Sequence, residues 1–72
     1  MDIKCKIGQR IKEIRESICL NQRDFAYLVD LDRSYIASVE NGKRNISIVN
    51  IEKIAFALGI SLKDFFSDSK FE

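Results

Sequence analysis

The chain has no proline and only three glycines in 72 residues, and two of the three, Gly42 and Gly59, close apolar stretches of helical spacing. A chain so poor in helix breakers is expected to be all-α. Ile7, Ile11, Ile14 and Ile18 fall at i, i+4, i+7 and i+11, the stripe of one amphipathic helix over about 6–18. Between them, Gln9, Arg10, Lys12, Glu13, Arg15 and Glu16 read as a solvated face. Asn21 is placed to cap a second helix over about 22–29, with Phe25, Ala26 and Val29 inward. Asp32 is placed to cap a third over about 33–41, with Ile36 and Val39 inward; Asn41-Gly42 stops it. Ser47 caps a fourth helix over about 48–58, and Ser61 a short fifth through Phe65-Phe66. The tail Ser67–Glu72 is polar and expected to fray.

Size and composition set the limits. At this length the chain is expected to be one domain over 1–72, burying about 60% of its unfolded surface. Apolar residues make up 46% and charged residues 32%, which places it among globular chains. With no histidine, neither a Ser-His-Asp or Cys-His nucleophile pair nor a histidine base exists, so enzymatic activity and cofactors are not expected. Cys5 and Cys19 lie too far apart for a short-spaced zinc motif and read as free thiols, a disulfide being the alternative. No signal peptide and no apolar run of about 18 residues is seen, so the expected location is the cytoplasm, with no membrane partner. Twelve basic against eleven acidic residues give a net charge of +1. That balance rules out a polybasic tail but not a patterned nucleic-acid surface. Nine basic and seven acidic residues lie in 1–44, against three and four in 45–72, so the positive excess sits in the first half.

The informative stretch is QRDFAYLVDLDRSYIASVENG, residues 22–42. Two short helices joined by a tight turn must cross steeply and pack on a third element. The crossing needs a small residue, supplied by Ala26, and apolar residues on both sides of the turn, supplied by Val29, Leu31, Ile36 and Val39. This is the spacing of a helix-turn-helix, whose second helix protrudes far enough to enter a major groove. Together with IGQRIKEIRE before it and IEKIAFALGISLKDFF after it, the stretch resembles the five-helix Cro/repressor-type helix-turn-helix family. Within that family, Arg33-Ser34-Tyr35-Ile36-Ala37 and Arg44-Asn45-Ile46-Ser47 are similar to restriction–modification controller proteins. Asp30 stands where the family usually has glycine in the turn; aspartate is among the few residues that tolerate the left-handed conformation.

The resemblance implies a set of DNA-facing residues. Gln22 and the free amides at the start of the second helix would hold a phosphate, with Arg23 beside them, unless Gln22 is only a good helix starter. Arg33, Ser34, Tyr35 and Ser38 lie on the outward face of the third helix. Arg33 is the base reader, its planar fork matching O6 and N7 of guanine; pairing with Asp30 or Asp32 is the alternative. For Tyr35 the alternative is packing on the domain surface. Lys43, Arg44, Asn45 and the Ser47 hydroxyl would grip the backbone, unless the loop is merely solvated. The resemblance also implies that Glu40 pairs with an arginine of the first helix, assigned to Arg10.

The last two helices are rich in large apolar residues, more than so small a core can take. In similar proteins this end pairs two subunits, so a homodimer is expected through Ile60, Leu62, Phe65, Phe66 and part of the fourth helix, with the sequence leaving open which of Phe65 and Phe66 is interfacial and which is core. The expected function is a sequence-specific transcriptional regulator on a palindromic operator in double-stranded DNA. As a controller it would act on its own and neighbouring genes, with RNA polymerase as a further partner. A phage-type repressor or an antitoxin is the alternative within the class, and a protein-binding helix-turn-helix module that never touches DNA is the alternative outside it.

Overall fold

The structure, a computed structural model, describes residues 2–72. Five α-helices follow one another: α1 (Ile3–Ser17), α2 (Gln22–Val29), α3 (Arg33–Glu40), α4 (Ile48–Leu58) and α5 (Leu62–Phe66). A single 3-10 turn, Ser69–Phe71, ends the chain. Four starts are fixed by a side chain that takes up an orphan amide. Asp2 accepts from Cys5 N at 3.0 Å, Asn21 from Asp24 N at 2.8 Å, Ser47 from Asn50 N at 3.1 Å and Ser61 from Asp64 N at 3.0 Å. The Asp2 cap lets α1 begin at Ile3, earlier than the apolar stripe predicts. Asp32 precedes α3 in extended conformation but makes no side-chain capping bond.

Helix ends follow from backbone conformation. Asp30 takes the left-handed region (φ 57°), and its amide together with that of Leu31 satisfies the last carbonyls of α2. The turn expected to survive the loss of glycine therefore does. Gly59 does the same for α4. At the end of α3 the left-handed residue is Gly42 (φ 72°), while Asn41 stays at φ −82°. Gly42 packs on Cys5, whose Sγ would meet any Cβ placed there.

The core is Ile11, Phe25, Ala26, Val29, Ile36, Val39, Ile51, Ile54, Ala55 and Phe65, so every helix contributes. Ile18 leaves the expected stripe: α1 stops at Ser17, Ile18 becomes its C-cap, and the side chain is 42% exposed. Gly8 is buried where α1 crosses the end of α3, and a Cβ there would collide with the carbonyl oxygens of Val39 and Glu40. Glycine at this position lets the two backbones approach closely. The tail does not fray. Lys70 Nζ reaches Glu13 Oε1 at 2.7 Å and Asp68 Oδ1 at 2.8 Å, and Phe71 stacks edge-on against Phe66 at 5.1 Å. Asp68 is held below the ordinary carboxylate range by the Lys70 ammonium, and Lys70 is correspondingly raised.

Candidate nucleic-acid interface

The central polar cluster ties α1 to both helices of the motif. Glu40, at the end of α3, is buried, and its carboxylate is met in bidentate fashion by Arg15: Nε to Oε2 at 2.7 Å and Nη2 to Oε1 at 3.0 Å. Arg15 Nη1 donates to the carbonyl of Leu20 at 2.8 Å, and Gln22 Nε2 donates to Glu40 Oε1 at 3.0 Å. The carboxylate raises the Arg15 pKa, mainly through these hydrogen bonds. No buried side-chain nitrogen or oxygen among the described residues lacks a hydrogen-bond partner, the condition under which a buried ion pair is tolerated.

This corrects the expected Arg10–Glu40 pair and the reading of Arg15 as solvated. Arg10 and Arg15 are five residues apart, about 140° around the helix. Gly8, Ile11 and Arg15 form the buried face of α1, turned toward α3. Arg10 points to α5 instead, where Nε donates to Phe65 O at 2.6 Å and Nη2 to Asp64 O at 2.9 Å. Its remaining nitrogen lies 3.8 Å from Asp68. Arg10 thus caps the carboxyl end of α5. The signal that would have found Arg15 was in the sequence, at i+4 from Ile11 on the inward stripe.

Gln22, Arg23 and Arg33 line one hollow between the starts of α2 and α3, with Asn21 and Arg15 at its edge. Gln22 is more than a helix starter, because its side-chain nitrogen is committed to Glu40. The start of α2 can offer an anion its free backbone amides and the second proton of the Gln22 amide. Arg23 is exposed and lies 3.6 Å from Asp24. Arg33 is exposed and forms no ion pair among the described residues; Asp30 is engaged by Lys53 at 3.6 Å. Ser34 is exposed beside it, and Ser38 is half-buried.

Beyond α3, Lys43, Arg44, Asn45 and Ser47 are all exposed on the loop into α4. The Ser47 oxygen caps α4, which leaves its proton free to donate. Arg44 is folded back, its guanidinium carbon 4.7 Å from the centre of the Tyr35 ring. The Tyr35 hydroxyl accepts from Asn50 Nδ2 at 3.0 Å. Tyr35 therefore packs against the domain and is half-buried, as the alternative weighed for it has it. Asn50 carries no motif signal, and sequence reasoning missed it.

The expected self-association residues divide. Phe65 has no exposed surface and belongs to the core, so of the two phenylalanines between which the sequence does not choose, only Phe66 has surface to offer a partner. Phe66 is half-buried between Phe65 and Phe71. Ile60 and Leu62 line an apolar hollow between α4 and α5 together with Val49 and Phe56. Phe56 is 85% exposed and Val49 69%, so of these two helices it is α4 that exposes large apolar side chains.

Two short helices about a left-handed turn, locked to α1 through Glu40 and flanked by exposed basic side chains, define a helix-turn-helix domain. The chain belongs to the helix-turn-helix family, which matches residues 11–65. Among its relatives is the control protein C.MunI of Mycoplasma sp, 53% identical over 68 residues that cover 93% of this chain and 92% of that one. The crystal structure of the restriction–modification controller protein C.AhdI from Aeromonas hydrophila superposes with a TM-score of 0.81 at 48% identity, covering 88% of this chain and 91% of that one. The controller protein C.Esp1396I, solved as a tetramer with its natural 35 base-pair operator, has a TM-score of 0.83 at 36% identity, covering 92% of this chain and 87% of that one. No described helix is long and apolar enough to cross a membrane.

Proposed function

We propose that this chain is a sequence-specific transcriptional regulator of the restriction–modification controller type, acting as a homodimer on a two-fold operator in double-stranded DNA. The observation that carries the reading is Arg33. It is exposed and unpaired at the first position of α3, beside the free amides of α2 and ahead of the basic loop Lys43-Arg44. A guanidinium there has both donors of its fork free for O6 and N7 of guanine. Arg23, Lys43, Asn45 and Ser47 on either side supply phosphate contacts that set register. The controller relative solved with its operator as a tetramer supports both the DNA partner and self-association. The exposed Val49 and Phe56, continuous with Ile60 and Leu62, are the surface for the second copy. In a two-fold dimer two copies of α3 would meet half-sites about 34 Å apart. Regulation of its own and neighbouring genes, with occupancy set by concentration of the dimer, completes the reading.

The test is selection of duplexes from a randomised pool, followed by binding of the enriched duplex at rising salt. The expected result is an inverted repeat whose preference over a scrambled duplex persists while non-specific binding weakens. A pool that shows no enriched sequence would overturn the proposal.

A further inference from the structure

Tyr35 is held by two elements outside the helix-turn-helix pair. Its ring lies under the Arg44 guanidinium at 4.7 Å, and its hydroxyl oxygen accepts from Asn50 Nδ2 at 3.0 Å. A phenol has one proton and two lone pairs. With Asn50 donating to a lone pair, the Tyr35 proton turns away from Asn50 and is free to donate. Asn50 is the one hydrogen-bonding partner of that hydroxyl among the described residues. Accepting one hydrogen bond also polarises the hydroxyl and strengthens it as a donor. Phosphate oxygens, guanine O6 and N7 and thymine O4 are all acceptors of the kind it would meet.

We infer that Asn50 is a positioning residue for DNA recognition, which commits the Tyr35 hydroxyl to donate toward an acceptor on the DNA while the ring holds Arg44 ready beside it. The inference rests on the reading that this face binds DNA. Asn50 sits in the first turn of α4, and its own backbone amide is bound by Ser47 Oγ. Replacing its side chain therefore leaves the cap of α4 in place. The stacked Arg44 keeps its charge near α3 without an acidic partner, through the attraction of a cation to an aromatic face.

The experiment is a double-mutant cycle on affinity for the duplex selected by the wild-type chain. Asn50→Ala and Tyr35→Phe should each weaken operator binding by about tenfold per bound subunit, the scale of one lost hydrogen bond. Their effects should overlap, so that Asn50→Ala in the Tyr35→Phe background changes affinity by less than about twofold. Asn50→Asp should weaken binding further than Asn50→Ala, because a carboxylate takes the Tyr35 proton for itself and repels phosphate. Tyr35→Phe removes a single oxygen, so its result stands even if an Asn50 variant folds poorly, and a Tyr35→Phe chain that binds as wild type overturns the inference. Independent, multiplying effects overturn it too, as does an Asn50→Asp chain with wild-type affinity. A wild-type chain that enriches no sequence defeats the proposed function itself, whereas enrichment without coupling defeats this inference alone.

Discussion

Replacing Arg15 by methionine removes the partner of a buried carboxylate and keeps an unbranched apolar stem. In the native fold the Glu40 side chain is 2% exposed and receives two hydrogen bonds from Arg15 and one from Gln22. After the change only Gln22 remains, and the Leu20 carbonyl also loses its donor. Removing one member of a buried pair costs about 3–5 kcal/mol, since the other charge stays uncompensated. Small domains have total stabilities near the low end of about 5–15 kcal/mol, so Arg15→Met should be largely unfolded in mild denaturant. Urea unfolding followed by circular dichroism, at one fixed protomer concentration, reads the loss as a midpoint shift at unchanged slope. Arg15→Met/Glu40→Leu should recover much of the loss, because neither charge is then buried alone. Arg10→Met removes two hydrogen bonds to carbonyls at the partly exposed end of α5 and should cost about 1–2 kcal/mol. An Arg10→Met chain that loses as much as Arg15→Met, or a double variant no more stable than Arg15→Met, would show that the Glu40 charge is not what Arg15 compensates.

Three further outcomes follow from the same structure. Gly8→Ala should destabilise by about 1–3 kcal/mol in the same urea assay, because its Cβ meets backbone oxygens of Val39 and Glu40 that have no freedom to move aside; an unchanged midpoint would contradict the close approach. Phe56→Ser should shift sedimentation toward monomer at tens of micromolar (roughly the range where a modest apolar interface acts) without lowering helix content, since the ring is exposed in the isolated chain. Asp68 and Asp2 have folded pKa values below the ordinary carboxylate value, through Lys70 and the Cys5 amide respectively. Their stabilisation is present above about pH 4 and is lost as pH falls through the depressed values, so Asp68→Asn should flatten the acid limb of a melting-temperature profile.

The helices were legible because their signals are local. Asn21, Ser47 and Ser61 cap where a polar side chain precedes an apolar period, and α2 and α4 begin and end where the pattern says. The motif's turn was legible too, since Asp30 satisfies the left-handed requirement by its own chemistry. What escaped was contact at long sequence separation. Arg10 and Arg15 both sit among charged neighbours, and only the phase of α1 against α3 decides which meets Glu40. The division of α5 between core and surface depends on how α1 closes over it, with Arg10 fixing its end and buried Phe65 beneath. The ordered tail depends on Lys70 reaching Glu13, fifty-seven residues away, which no local polarity pattern reveals. In the candidate interface, the motif alone nominates the basic residues, while the hydrogen bond from Asn50 to Tyr35 joins α4 to α3 and leaves no local signal.

In the proposed function Arg33 reads sequence while its basic neighbours hold the backbone. The decisive quantity is the ratio of affinities for the selected duplex and a scrambled duplex, measured for wild type, Arg33→Ala and Lys43→Ala at the same salt. Arg33→Ala should lose about 1–3 kcal/mol of discrimination per half-site, and Lys43→Ala should weaken both duplexes alike. An Arg33→Ala chain that keeps the wild-type ratio would show that Arg33 does not read the sequence.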